Sequence, residues 1–207
     1  MRRFIPSQIS LFYRSSLFLV GILLISTLAA CSSQKIEDVA DRRPNLSLES
    51  FFEGDTIAYG IFEDYSQSLK RQFRVNIKGT VEGGVLTLEE DFLYDDGETQ
   101  RRVWRITNRG KNEAGITLYE GTADDVIGTA TGHVAGNALH WRYTVALAVG
   151  DTTYDIDFDD WIYQQDEHVA LNRARLTKFG IEVGSVTLAF LRGPAAEAIG
   201  PLNLQNW

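Results

Sequence analysis

The chain has 207 residues, 20 basic and 28 acidic, and a formal net charge of −8. So acidic a chain repels nucleic acid and anionic lipid headgroups, which excludes a nucleic-acid partner and a basic-patch membrane contact. Its single cysteine excludes a disulfide framework, so stability must come from a hydrophobic core.

The N-terminus reads as an export signal. Arg2, Arg3 and Arg14 precede the unbroken apolar run LFLVGILLISTL, which ends in LAAC. A basic segment, roughly a dozen apolar residues and small residues before a cleavage point form a signal peptide, too short for a stable spanning helix. Cys31 directly after the small residues makes the site a lipobox, where the thiol takes a diacylglycerol and becomes the new N-terminus. Ser32, rather than aspartate, fits sorting to the outer membrane, inner leaflet, facing the periplasm. Cleavage removes three arginines and leaves 17 basic against 28 acidic residues, a net charge of −11. Acyl chains, each buried methylene contributing roughly 0.8 kcal/mol, then hold the protein to the membrane.

The expected organisation is a signal peptide over residues 1–30, Cys31 with a flexible tether to residue 50, a β domain over 51–192 and a C-terminal tail over 193–207. The tail, punctuated by Pro194 and Pro201, is expected to cross the β domain as coil or one helical turn. Between residues 51 and 192 the apolar residues recur every second position in short segments broken by Gly, Asp and Asn. Ten strands are predicted, over 56–64, 69–79, 84–94, 99–107, 115–123, 126–134, 138–149, 152–163, 169–177 and 181–192. With no long amphipathic helix, this predicts an all-β antiparallel meander closing into a lipocalin-like β-barrel.

Turn chemistry predicts register, and register decides which side chains meet. A two-residue turn at Gly150 and Asp151 pairs Leu147 with Tyr154, Val145 with Ile156 and Tyr143 with Phe158. A second at Gly136 and Asn137 pairs Val134 with Leu139 and sets Gly132, Ala130 and Gly128 under Trp141, Tyr143 and Val145. For the longer turn at residues 164–168, the chosen register sets Ile156 by Leu176, Phe158 by Ala174 and Ile162 by Ala170. It gives the outward Asp157 and Asp159 the partners Arg175 and Arg173, with Arg142 on their other side. Such cross-strand pairs contribute roughly 0.2–1 kcal/mol each, so the row of Asp155, Asp157 and Asp159 reads as a solvated ladder. His133 meets His140 on the outer face with no carboxylate placed to complete a metal site, and no metal is expected.

Some polar residues fall on the inner face. Asp160 follows Phe158 there, opposite Trp141 and beside Asn172. A three-residue loop at 96–98 aligns Leu88 with Ile106, Glu90 with Trp104 and Phe92 with Arg102, which leaves Glu90 and Arg102 diagonal neighbours. An inward carboxylate must be hydrogen-bonded or protonated. A few such groups in an apolar barrel describe either a ligand cavity or satisfied structural pairs. No nucleophile arrangement or phosphate loop appears, and the three histidines form no triad.

The segments DFLYDDGETQRRVWRI, TADDVIGTATGHVAGNALHWRYT, DFDDWIY and LNRARLTKFG, behind a lipobox, resemble a family of bacterial lipoproteins called domain of unknown function 3833. The similarity runs from about Phe51 to Phe190, with Tyr59 where a tryptophan is expected in relatives. The resemblance implies an exported lipoprotein and brings no activity with it. Its association with genes of fatty-acid modification and envelope stress points to a lipid ligand. The expectation is therefore a lipid-anchored envelope protein whose barrel binds a lipid, fatty acid or other small hydrophobic molecule. Trp141, Tyr143, Tyr154 and Phe158 would line the cavity, and Asp160, Asn172, Glu90 and Arg102 would orient a polar head. The alternatives are an enzyme using Asp160 or Glu90 as general acid or base, with non-catalytic roles favoured, and an envelope scaffold. No cofactor is expected, and the sequence names no protein partner.

Overall fold

Alternation of apolar and polar residues over ten segments gives ten antiparallel strands, each hydrogen-bonded to its neighbours in sequence and the last to the first. In the computed structural model, which describes residues 34–149 and 152–207, they are β1 (Gly54–Asp64), β2 (Leu69–Glu82), β3 (Val85–Tyr94), β4 (Thr99–Lys111) and β5 (Thr117–Thr122). They continue as β6 (Ala130–Ala135), β7 (Ala138–Val149), β8 (Thr152–Gln164), β9 (Val169–Lys178) and β10 (Ile181–Arg192). Pairing of β1 with β10 closes the barrel, as predicted, and leaves no edge strand. Cys31 and the signal segment lie outside the described residues, as do Gly150 and Asp151.

The register follows the turns where the turns are short. Gly136, with φ of 53°, takes the first central position of the β6–β7 turn, where glycine is favoured in a two-residue hairpin. Val134 faces Leu139 and Gly132 faces Trp141, as expected. A Cβ on Gly132 would lie 2.3 Å from the Trp141 ring, so only glycine leaves room for that indole. Across the β7–β8 hairpin, Leu147 meets Tyr154, Val145 meets Ile156 and Tyr143 meets Phe158.

Where loops are longer, three expected registers are corrected. Glu90 lies directly opposite Arg102, Leu88 opposite Trp104 and Phe92 opposite Gln100, a slip of two residues, because the turn sits one residue earlier, over 95–97, closed by the Tyr94 N–H on the Glu98 carbonyl. The β8–β9 pairing slips by two as well. Phe158 meets Leu176, Asp160 meets Ala174, Ile162 meets Asn172 and Asp159 meets Arg175. Asp157 meets Thr177, so its expected pairing with Arg175 is replaced by a hydrogen bond from Thr144 Oγ1 at 2.7 Å. Asp159 is held instead by His140 Nε2 at 3.0 Å and Arg142 Nε at 3.3 Å. Finally, Val126 and not Gly128 bridges Val145, and β6 begins only at Ala130. Because side chains alternate with period two, a two-residue slip exchanges partners but keeps every residue on its face.

The barrel ends differ. The short helix α1 (Leu48–Phe52) closes one end, capped by Ser47, whose Oγ accepts from the Ser50 backbone N–H. Leu48, Phe51 and Phe52 are buried in the main core cluster, and Phe52 meets Phe51 and Phe190 edge-on, centroids 5.0 and 5.4 Å apart. Tyr119 Oη, from inside the barrel, donates to Glu49 Oε2 at 2.8 Å and pins the plug.

Two segments pack on the outer wall. The stretch expected as a flexible tether is folded from Ile36 onward, which corrects that expectation. Ile36 and Val39, in the 3-10 turn Ile36–Val39, bury against Ile116, Ala135 and Ala138, with Trp161 and Tyr163 alongside. After β10, the helix α2 (Pro194–Ile199) and the tail behind it cover Ile57 with Ala196 and Leu202. Asn76 hydrogen-bonds both backbone groups of Leu202, at 2.9 and 2.8 Å.

Candidate functional site

Inside the barrel, even-numbered residues of β3, β4, β8 and β9 and odd-numbered residues of β2 and β7 face one another. They do not fill the space. A cavity of about 730 Å³ remains, within the range of small-molecule sites. Its wall is mainly aromatic and aliphatic. Trp104 stands edge-on to Trp141 and Tyr143, centroids 5.7 and 5.3 Å away, and Tyr143 stacks on Phe158 at 4.9 Å. Phe52 forms part of the wall at the plugged end.

A small polar group interrupts this surface. Arg102 turns inward from β4, and its Nε lies 3.0 Å from Asp125 Oδ2. Asp125 reaches it because the chain before β6 leaves the strand path: Ile127 N–H donates to the Thr144 carbonyl at 2.8 Å, and Ala146 N–H to the Asp125 carbonyl at 2.9 Å. Opposite, Asp160 accepts from Tyr143 Oη at 3.2 Å on Oδ2 and from Asn172 Nδ2 on Oδ1. Asn172 also donates weakly to the Trp161 carbonyl at 3.3 Å, and its own Oδ1 is buried with no partner. Glu90 completes the group across from Arg102.

Burial dominates the electrostatics here. It pushes the Glu90 carboxyl up to about 7, against the pull of Arg102. It raises Asp160 to about 6, opposed by the hydrogen bonds from Asn172 and Tyr143. Burial also pushes the Tyr143 phenol well above its ordinary value, so it stays a donor at neutral pH. Both carboxyls start from ordinary values of 4.5 and 3.8, so the folded protein holds protons that the unfolded chain has released. Stability from this source is complete below about pH 4 and is lost as pH rises through 6 and 7. We expect a fall on the order of 1–3 kcal/mol across that window, flattened in Glu90→Gln and Asp160→Asn, measured by urea unfolding at fixed ionic strength. A stability that rises over the same window in the unsubstituted protein would contradict these environments.

Of the residues predicted to line a cavity, Glu90, Arg102, Trp141, Tyr143, Phe158, Asp160 and Asn172 all do so. Tyr154 does not, which corrects that expectation. It stands at the mouth, with Lys178 Nζ 3.5 Å above its ring. Asp125 was missed, because it falls in the turn between the expected strands 115–123 and 126–134, where alternation assigns no face. The signal available was an inward arginine in need of a countercharge.

The end opposite α1 carries exposed apolar side chains among its charged turns. Tyr65, Leu69, Ile127, Leu147, Phe179 and Ile181 are all exposed on the turns and strand ends around it. Phe179 is 90% exposed and has φ of 53°, a conformation that a bulky side chain adopts at a cost. Deeper at the mouth, Arg71 lies 3.7 Å from the Tyr94 ring centre and pairs with Asp96 at 2.8 Å and Glu98 at 2.9 Å. No group of three or more metal-ligating side chains occurs among the described residues.

The family described as "Protein of unknown function (DUF3833)" matches residues 25–192. No curated protein matches the chain. Among solved structures, the chain is similar to the S-type phycobiliprotein lyase CPES of Guillardia theta, with 9% identity and a TM-score of 0.52, covering 78% of this chain and 98% of that one. It is also similar to a protein of unknown function of the DUF3598 family from Nostoc punctiforme. There the identity is 15% and the TM-score 0.52, over 73% of this chain and 51% of that one. At such identities the likeness is one of fold.

Proposed function

We propose that this chain, which belongs to the DUF3833 family of proteins of unknown function, is a lipid-anchored envelope protein whose barrel carries one small hydrophobic molecule. The observation that carries the reading is the cavity of about 730 Å³, walled by aromatic rings, with exposed apolar residues around the end opposite α1. A barrel built only to be stable would fill that space, since voids forfeit contacts and weaken a core. Among the described residues, the plug pinned through Glu49 and Tyr119 closes the far end, so the cavity has the form of a cup. Exposed Phe179, Ile181 and Tyr65 at its lip suit transfer of an apolar molecule without full exposure to water.

The anchor belongs to the same reading. Diacylglyceryl-Cys31 holds the protein in the inner leaflet of the outer membrane, and the barrel works in the periplasm. A cup tethered at a membrane meets a ligand whose solubility in water is low.

The full chain, purified from membranes and analysed by native mass spectrometry and by lipid extraction, is expected to carry one molecule of a hydrophobic compound per barrel. Metabolic labelling with palmitate is expected to mark the protein and to be lost in Cys31→Ser. A barrel that carries nothing and gives no saturable fluorescence with N-phenyl-1-naphthylamine is not a carrier, whatever its anchor.

A further inference from the structure

We infer that the polar end of the bound molecule is a primary ammonium or another cationic hydrogen-bond donor, and not a carboxylate. The inference rests on the carrier reading above and deepens it.

Hydrogen-bonding capacity and charge at the cavity wall are unevenly spent. Two cations reach the cavity wall. Arg102 is held by Asp125 through Nε at 3.0 Å and a second contact from Nη2. Arg71, at the mouth, is held by Asp96 at 2.8 Å and Glu98 at 2.9 Å. An anionic head would find both guanidiniums already neutralised and two further acids, Glu90 and Asp160, facing it. A charge so placed is repelled and poorly solvated.

Acceptors, in contrast, remain. Asn172 is 3% exposed, lines the cavity, and leaves its Oδ1 unpartnered while its Nδ2 is turned to Asp160 and to the Trp161 carbonyl. A buried acceptor left bare is unfavourable, and a ligand donor reaches this one only if the amide turns toward the cavity. Asp160 retains lone pairs beyond the two it uses, and Glu90 faces Arg102 while that guanidinium donates to Asp125. The rings beside them, Trp104, Trp141, Tyr143 and Phe158, line the cavity, and aromatic π systems attract a cation and do not attract a carboxylate. Charge, lone pairs and rings therefore favour the same kind of head.

The test is a competition. The full chain, stripped of lipid and reconstituted in phosphatidylcholine nanodiscs, is given equimolar dodecylammonium, dodecanol and dodecanoate, and bound species are counted by native mass spectrometry. Dodecylammonium is expected to exceed dodecanoate by about tenfold or more, with dodecanol between them. Asp160→Asn and, separately, Glu90→Gln should each shrink that ratio several-fold, with near-ultraviolet circular dichroism reporting the fold. Added lysophosphatidylethanolamine separates two sources of the same head. Its binding assigns the site to a phospholipid ammonium, and binding of the simple amine alone assigns it to a free amphiphilic amine. Dodecanoate binding as well as or better than dodecylammonium overturns the inference and leaves the carrier reading standing. Ratios unmoved in both folded variants overturn it too. If none of the probes occupies the barrel, the carrier reading falls with it.

Discussion

Ala174→Trp is expected to abolish binding of any hydrophobic molecule, raising the dissociation constant by more than about a hundredfold, a loss of about 2.7 kcal/mol or more. Ala174 is buried in β9, lines the cavity and lies directly across from Asp160. An indole there projects into space that is otherwise empty, so it displaces ligand and not core. The same side chain adds apolar contacts to Leu176 and Ile156, its companions in a small cluster, so the melting temperature should hold or rise. That combination separates a blocked cup from an unfolded one. Binding that survives Ala174→Trp in a folded protein would place the ligand elsewhere and refute the barrel interior as the site. The measurement is a titration with N-phenyl-1-naphthylamine alongside thermal unfolding.

Phe52→Ala should have the opposite profile, with stability lost before binding chemistry is touched. Phe52 is buried between Phe51 and Phe190 and belongs both to the core and to the cavity wall. Truncating such a ring costs roughly 3–5 kcal/mol, through lost transfer energy and the hole left behind. For a domain of this size that corresponds to a fall of roughly 6–20 °C in melting temperature. The partners cannot close the gap easily, because a Cβ built on Gly79 would already lie 1.8 Å from the Phe52 carbonyl oxygen and marks how tightly the plug is seated. Truncation of the exposed Tyr59 on the outer wall is the control and should change little. A Phe52→Ala protein that melts within 2–3 °C of the original would mean that α1 is not what closes the barrel.

How much of the site was legible follows from how each residue was placed. Inward facing of Glu90, Arg102, Asp160 and Asn172 was readable from alternation alone, because a strand has only two faces. Direct opposition of Glu90 and Arg102 was not, since it turned on whether the three-residue turn between β3 and β4 sits at 95–97 or 96–98. Asn172 reaches Asp160 although the register sets it across from Ile162, a diagonal contact that side-chain length and rotamer settle. Asp125 was beyond reach for a different reason. Its position depends on backbone bonds to Thr144 and Ala146 that pull a loop against β7, and no local pattern encodes a bond made from so far along the chain. The folding of Ile36 and Val39 onto the outer wall was hidden likewise, since two isolated apolar residues in a polar stretch form no period.

The amino-acid sequence by itself determined the period-two pattern, ten strands in meander order, the face that each residue presents and the register of the two tightest hairpins. These are consequences of local geometry: side chains alternate, and a two-residue turn permits one pairing. Tertiary structure alone decided that the barrel is a cup and not a packed core. Interior volume depends on the closed circumference, on the tilt of the strands and on which rotamers face across a dozen or more ångströms, none of which is a property of any one segment. It also decided which charges were spent. Arg102 was an inward cation in the sequence, and only the fold delivered Asp125 to it, leaving Asp160 and Glu90 as the acceptors still open to a guest.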